Sequence, residues 1–200
     1  MSWFKRSDPA PDLPRSFGYK TQWLAVQHDD PMRVAAGIAL KKLKPASWAM
    51  GMRSSFRLPI FVTPVLDGWV LVVEFPLPDD GVRFLERASA ELHARVCHFA
   101  SHRGVSAVSW GIAEDGHVRR LYTYSDEKTY CNHGDPMAEE VELGLRYGHE
   151  FEGADDVAHE ERDKLPNEGT VLVLAGKWAI DPMTIEKRFT EPSTGWIGKR

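Results

Sequence analysis

Apolar and polar positions are most sharply organised around Asp67-Gly68, which joins two β-rich apolar runs at 60–65 and 69–75. Asp-Gly tolerates the positive φ angles of a tight primed turn, so the pattern predicts a hairpin. Residues 69–73 are apolar without a break, which predicts a central strand covered on both faces. Before the hairpin, 19–27 alternate as a first strand. That alternation places Trp23, Ala25 and Gln27 on one face and Leu24 and Val26 on the other. A second hairpin is predicted over 105–113 and 117–124, turned at Asp115-Gly116, and 97–101 reads as a further strand. In 117–124, Val118, Arg120, Tyr122 and Tyr124 alternate with Arg119, Leu121 and Thr123, which predicts one wet face. The run 170–179 reads as a last buried strand.

Helices are predicted by different signals. Asp-Pro-Met occurs at 30–32, 135–137 and 181–183. Asp accepts a hydrogen bond from an orphan N–H, and proline suits the first helical position, so each copy predicts a helix start. The first helix is expected over 31–43, stopped by Pro45, with a short edge strand over 46–50. Residues 82–96 carry the clearest amphipathic stripe, Val82, Leu85, Ala88, Leu92 and Val96. The third helix is expected over 135–144, and 182 onward should form a short closing helix.

The predicted fold class is α+β: a mixed, mainly antiparallel sheet built from two hairpins, with helices packed on one side of it. The expected organisation is a flexible N-terminal arm over 1–16, a single α+β domain over 17–190 and a C-terminal tail over 191–200.

Composition narrows the class. Of 200 residues, 42% are hydrophobic and 27% charged, as in a globular protein with a full core. No apolar run approaches membrane-spanning length, and the first 17 residues lack the apolar segment of a secretory signal. Two cysteines, Cys97 and Cys131, make no disulfide framework, so a cytoplasmic location is expected. Charge is unevenly spread. Residues 1–57 hold ten Lys/Arg against four Asp/Glu, and 135–168 hold twelve Asp/Glu against three Lys/Arg. The acidic block predicts a surface that steers a basic protein partner and repels nucleic acid.

Candidate chemistry is sparse. Cys97, His98 and His102 with Cys131 and His133 offer zinc-ligand types, but at no standard spacing. A strand over 97–101 would also send Cys97 and His98 to opposite faces. Cys131 with His133 or His117 offers a thiol and a base. His149-Glu150 and His159-Glu160-Glu161 do not match the metalloprotease pattern, and no phosphate-loop, dinucleotide or nucleophile-elbow motif is present. No cofactor or metal is expected. Trp23, Trp69, Trp110 and Trp178 all fall in predicted strands, which points to core packing rather than base stacking.

Residues 61–73 with Thr63-Pro64 and Gly68-Trp69, 110–124 with Asp115-Gly116 and Arg120-Leu121-Tyr122, and Trp178 to Pro182 together resemble an uncharacterised bacterial α+β protein family. Its marks are a Thr-Pro-x-x-x-Gly-Trp hairpin, an Asp-Gly turn with Arg-x-Tyr after it, and a closing Trp-x-x-Asp-Pro. The resemblance covers about 20–182 and carries over no catalytic residue. By analogy with small bacterial proteins encoded beside secreted toxins, it implies an immunity protein. The leading expectation is therefore a non-catalytic cytosolic protein that neutralises a toxin by direct binding. Asp155, Asp156, Glu160 and Glu161 are the expected contact residues, and a basic toxin domain is the expected partner; no nucleic acid or membrane is expected. The alternative is an enzyme whose pocket beside the second hairpin gathers His98, His102, Arg120 and Tyr122.

Overall fold

The computed structural model describes residues 9–53, 59–126, 128–147 and 165–200. Nine strands form one sheet in the order β2-β9-β3-β4-β1-β5-β6-β7-β8, and every pairing is antiparallel. The strands are β1 (Gln22–Gln27), β2 (Lys41–Ser47), β3 (Ile60–Val62), β4 (Trp69–Val73), β5 (Val96–His102), β6 (Ala107–Glu114), β7 (His117–Ser125), β8 (Lys128–His133) and β9 (Thr194–Lys199). The helices are α1 (Pro31–Gly37), α2 (Trp48–Gly51), α3 (Gly81–Leu92), α4 (Ala138–Glu142), α5 (Glu168–Trp178) and α6 (Ile185–Arg188). The arrangement is α+β and mostly sheet. It is not mixed, because no parallel pair occurs among the described residues.

Alternation along the central strands divides the core in two. Trp23, Ala25, Leu71, Val73, Cys97, Phe99, Trp110 and Tyr122 belong to one buried cluster. Leu24, Val26, Val70, Val72, Val96, Ala113 and Leu121 belong to the other. The second face is covered by α1 and α3, through Val34 and Ala35 and through Phe84, Leu85, Ala88 and Leu92. The first is covered by α2, α5 and α6, through Trp48, Val171, Leu174, Trp178 and Ile185. Helices thus lie on both faces, where one-sided packing was expected. Each fully buried leucine in these layers contributes roughly 2–3 kcal/mol of transfer free energy. The four tryptophans expected in the core are all buried.

Both Asp-Gly turns have left-handed backbone at their two central residues: Asp67 at φ 48° and Gly68 at 79°, Asp115 at 49° and Gly116 at 77°. These are the angles that twist the flanking strands together. Thr63, next to β3, prolongs its ladder. Its N–H donates to Leu71 O, and its Oγ1 accepts from Leu71 N–H at 2.9 Å, before Pro64 ends the pairing.

Several elements differ from expectation. Residues 170–179 are not a strand but the body of α5. Asn167 caps it, its Oδ1 accepting from Thr170 N–H at 3.2 Å, while Thr170 Oγ1 accepts from Asn167 N–H. A short unbroken apolar run fits a buried helix as well as a buried strand, and the cap decides between them. The first helix ends at Gly37, because Ala39 turns left-handed at φ 61° and Leu40 N–H closes back on Ala35 O. Residues 41–47 are an edge strand, where lysines and Pro45 are tolerated and discourage edge-to-edge pairing. The segment 46–50 is the end of β2 and the start of α2. The third helix begins at Ala138 rather than at Pro136, because Glu140 reaches back to accept from Met137 N–H at 2.8 Å.

The second predicted helix ends at Leu92, and Val96 belongs to β5. The expected loose tail is β9, inserted between β2 and β3. Strand β8 carries no strong alternation and was not anticipated. Near the N-terminus, Asp12 pairs with Ser193 through both backbone bonds, and its carboxylate accepts from the N–H groups of Trp48 and Ala49. Phe17 is buried against Trp23.

Candidate functional site

Helix α3 is set on the sheet by its apolar stripe, and its first turn is closed by Asp80, which accepts from Arg83 N–H at 3.2 Å. Beyond that first turn the sheet face is left open, and a cleft of about 690 Å³ lies there. Its floor is a cross-strand row: Gln22 opposite Ala100, Ala100 opposite Ser109, Ser109 opposite Thr123. The hydroxyls of Ser109 and Thr123 meet at 2.9 Å. One row further in, His98 lies between Leu24 and Gly111. Leu77, Val82 and Leu121 give apolar walls, while Glu74, Asp79, Asp80 and Lys20 stand around the space.

Two titratable groups in the cleft are shaped by burial. His98 is 2% exposed, and its Nδ1 has no hydrogen-bond partner among the described residues. Loss of hydration disfavours the imidazolium and pushes its pKa down to about 3, so the ring is neutral at physiological pH. Glu74 follows β4 with left-handed backbone, φ 59°. Burial of its carboxyl pushes its pKa above the usual carboxylate range.

The opposite face holds a different polar arrangement. Arg120 and Glu140 form an ion pair at 3.0 Å with both side chains fully buried. Glu140 Oε1 also accepts from Trp110 Nε1 at 2.8 Å and from the Tyr147 hydroxyl at 3.0 Å. Arg120 Nη1 donates to Asn132 Oδ1, His133 O and Gly134 O. Arg120 shares this face with Tyr122 and Tyr124 by ordinary alternation, and the β6–β7 register shifts just before it, between Ile112 and Ala113, leaving Arg119 as an extra residue and turning Val118 to the other face. Simple alternation put Val118 and Arg120 together. The bulge separates them, and the face that carries Arg120, Tyr122 and Tyr124 is packed.

The pocket expected to gather four side chains does not form. His98 and His102 line the cleft, whereas Arg120 and Tyr122 lie across the sheet. Cys97 and His98 point to opposite faces, and burial raises the Cys97 thiol pKa far above its ordinary value. Cys131 lines the cleft on β8, with its thiol also raised by burial. Among the described residues, no three His, Cys, Asp or Glu side chains are grouped to hold a metal ion. His149, His159, Asp155, Asp156, Glu160 and Glu161 lie outside the described residues.

The described acidic residues divide by role. Asp135 is exposed, Glu139 is half-buried, Glu140 is internal, Glu142 pairs with Lys177 at 2.8 Å, and Glu168 pairs with Arg103 at 2.7 Å. The sequence places Glu140 within the acidic block expected at the surface and Arg120 in the expected pocket, with no local sign that each answers the other. The available signal was Arg120 itself, an arginine in alternation with the aromatics Tyr122 and Tyr124; buried beside them, it requires a buried counter-charge.

Among the described residues no helix is long and apolar enough to cross a membrane. Comparison of the chain with protein-family models, with curated proteins and with solved structures gives no match in any of the three.

Proposed function

We propose that this is a non-catalytic cytosolic binding protein, an immunity protein that neutralises a bacterial toxin by direct binding through an acidic surface. The observation that carries the reading is the presentation of α4. Its outer side shows Val141 at 66% exposure beside exposed Glu142, with Glu139 half-buried, while Asp135 is exposed just before the helix. An exposed aliphatic side chain among carboxylates complements a partner with an apolar spot ringed by lysine or arginine. Glu140 fixes this helix from beneath through Arg120, so its outer side is held rigid and less ordering entropy is lost on binding. In sequence the acidic block continues through Asp155, Asp156, Glu160 and Glu161.

The test is binding to the toxin encoded beside this protein. With all four of those residues changed to lysine, the association rate should fall at least about tenfold at low salt, and the variant should lose the slowing by salt that the wild-type rate shows. Unchanged association in the fourfold variant would overturn the acidic-surface reading.

A further inference from the structure

We propose that the cleft over His98 is a binding site for a small organic ammonium compound with an apolar body. The inference rests on the cleft alone and does not depend on the acidic surface around α4. His98 is a buried polar side chain whose Nδ1 lacks a partner, and it lines an open space rather than a packed interior. A buried polar atom left unpaired costs about 1–3 kcal/mol, which a ligand hydrogen bond would recover. Nδ1 itself is enclosed as the ring stands, and a ligand in the cleft reaches it when the ring turns over and exchanges its two edges.

The charge around the space selects the ligand class. Glu74, Asp79 and Asp80 outnumber Lys20. Among the described residues the Glu74 carboxylate has no ion-pair partner, while Asp80 is already engaged with Arg83. An anion would lie against these carboxylates, and the neutral imidazole offers it no compensating charge. The N-terminus of α3 does not rescue an anion, because the Asp80 carboxylate already occupies its capping position. A metal ion is disfavoured, because no three ligating side chains converge here among the described residues. An ammonium group satisfies both lone features: its charge meets Glu74, and its N–H groups donate to the neutral His98 ring. The apolar body would lie along Leu77, Val82 and Leu121, over Ala100 on the floor.

The test uses the whole chain with n-hexylammonium as probe, and n-hexanol and hexanoate as matched neutral and anionic probes. Binding is followed by ring-nitrogen resonances of His98 and amide resonances of Ser109 and Thr123. Hexylammonium should shift these signals saturably, and hexanoate should not. Glu74→Gln should weaken hexylammonium binding about tenfold, the loss expected for one charge-assisted contact, while Asp29→Asn should leave it unchanged. His98→Phe, which fills the ring volume without a nitrogen, should weaken it as well. Equal or tighter binding of hexanoate, shifts that never saturate, or a Glu74→Gln variant that binds like wild type would each overturn the proposal. The wild-type titration and Glu74→Gln suffice to decide it if His98→Phe does not fold.

Discussion

Two side chains carry the sharpest consequences at the scale of single residues. Arg120 and Glu140 are charges fully withdrawn from water, so each depends on the other and on Trp110, Tyr147 and Asn132. Removing one partner leaves an unpaired buried charge. Glu140→Ala should therefore cost about 3–5 kcal/mol in urea unfolding, and the double variant Arg120→Met with Glu140→Leu should cost less than Glu140→Ala alone. A double variant worse than the single one would show that the pair contributes more than mutual neutralisation. His98 gives a pH effect of definite sign. Its folded pKa, about 3, lies below the ordinary histidine value of about 6.5, so acid protonates the unfolded chain first. The stability it supplies is complete above about pH 6.5 and is lost as pH falls toward the folded value. Between pH 7.5 and 5.5, wild type should lose about 1 kcal/mol more than His98→Phe. Parallel losses in the two proteins would contradict a neutral, buried His98.

At the scale of elements, local chemistry predicted what is local and failed where a distant partner decides. The two Asp-Gly turns and the amphipathic stripe of α3 each carry their cause within a few residues, and all were legible. So was the split of β1 into two faces. Of the three Asp-Pro-Met copies, Asp30 and Asp181 accept the expected capping hydrogen bonds, from Met32 and Met183. The third yields to Glu140, whose position is dictated by Arg120 twenty residues earlier. The body of α5 was illegible as a helix because every position from Thr170 to Ala175 except exposed Val173 is buried, which erases the 3.6-residue period. Strand β9 was hidden because its neighbours, β2 and β3, lie more than 130 residues before it. The cleft was partly legible, since His98 and His102 were singled out. Glu74 was not, because its role depends on the turn it makes after β4 and on the open sheet face beside it.

The whole molecule is a sheet of two unlike wings joined at β1. On one side β5, β6, β7 and β8 follow one another as a meander, so each strand pairs with its sequence neighbour. On the other side β9 must enter between β2 and β3, closing a loop of most of the chain, which is entropically the costlier step. Gly195 is where that insertion is tightest. A Cβ there would lie 2.4 Å from Val62 O and 2.6 Å from the Phe61 ring, and the first of these is backbone. Gly195→Ala should therefore push β9 out of register and destabilise by more than about 2 kcal/mol, the upper range of overpacking. The loss should be uneven: backbone amides of β2, β3 and β9 should exchange faster in native-state hydrogen exchange, while those of β5–β7 keep their protection. Uniform acceleration across both wings would mean that the sheet opens as one unit and that β9 is not its weak seam. The cleft lies largely on the meander wing, over β5, β6 and β7, so Gly195→Ala should leave the resonances of Ser109 and Thr123 in place even as the other wing loosens.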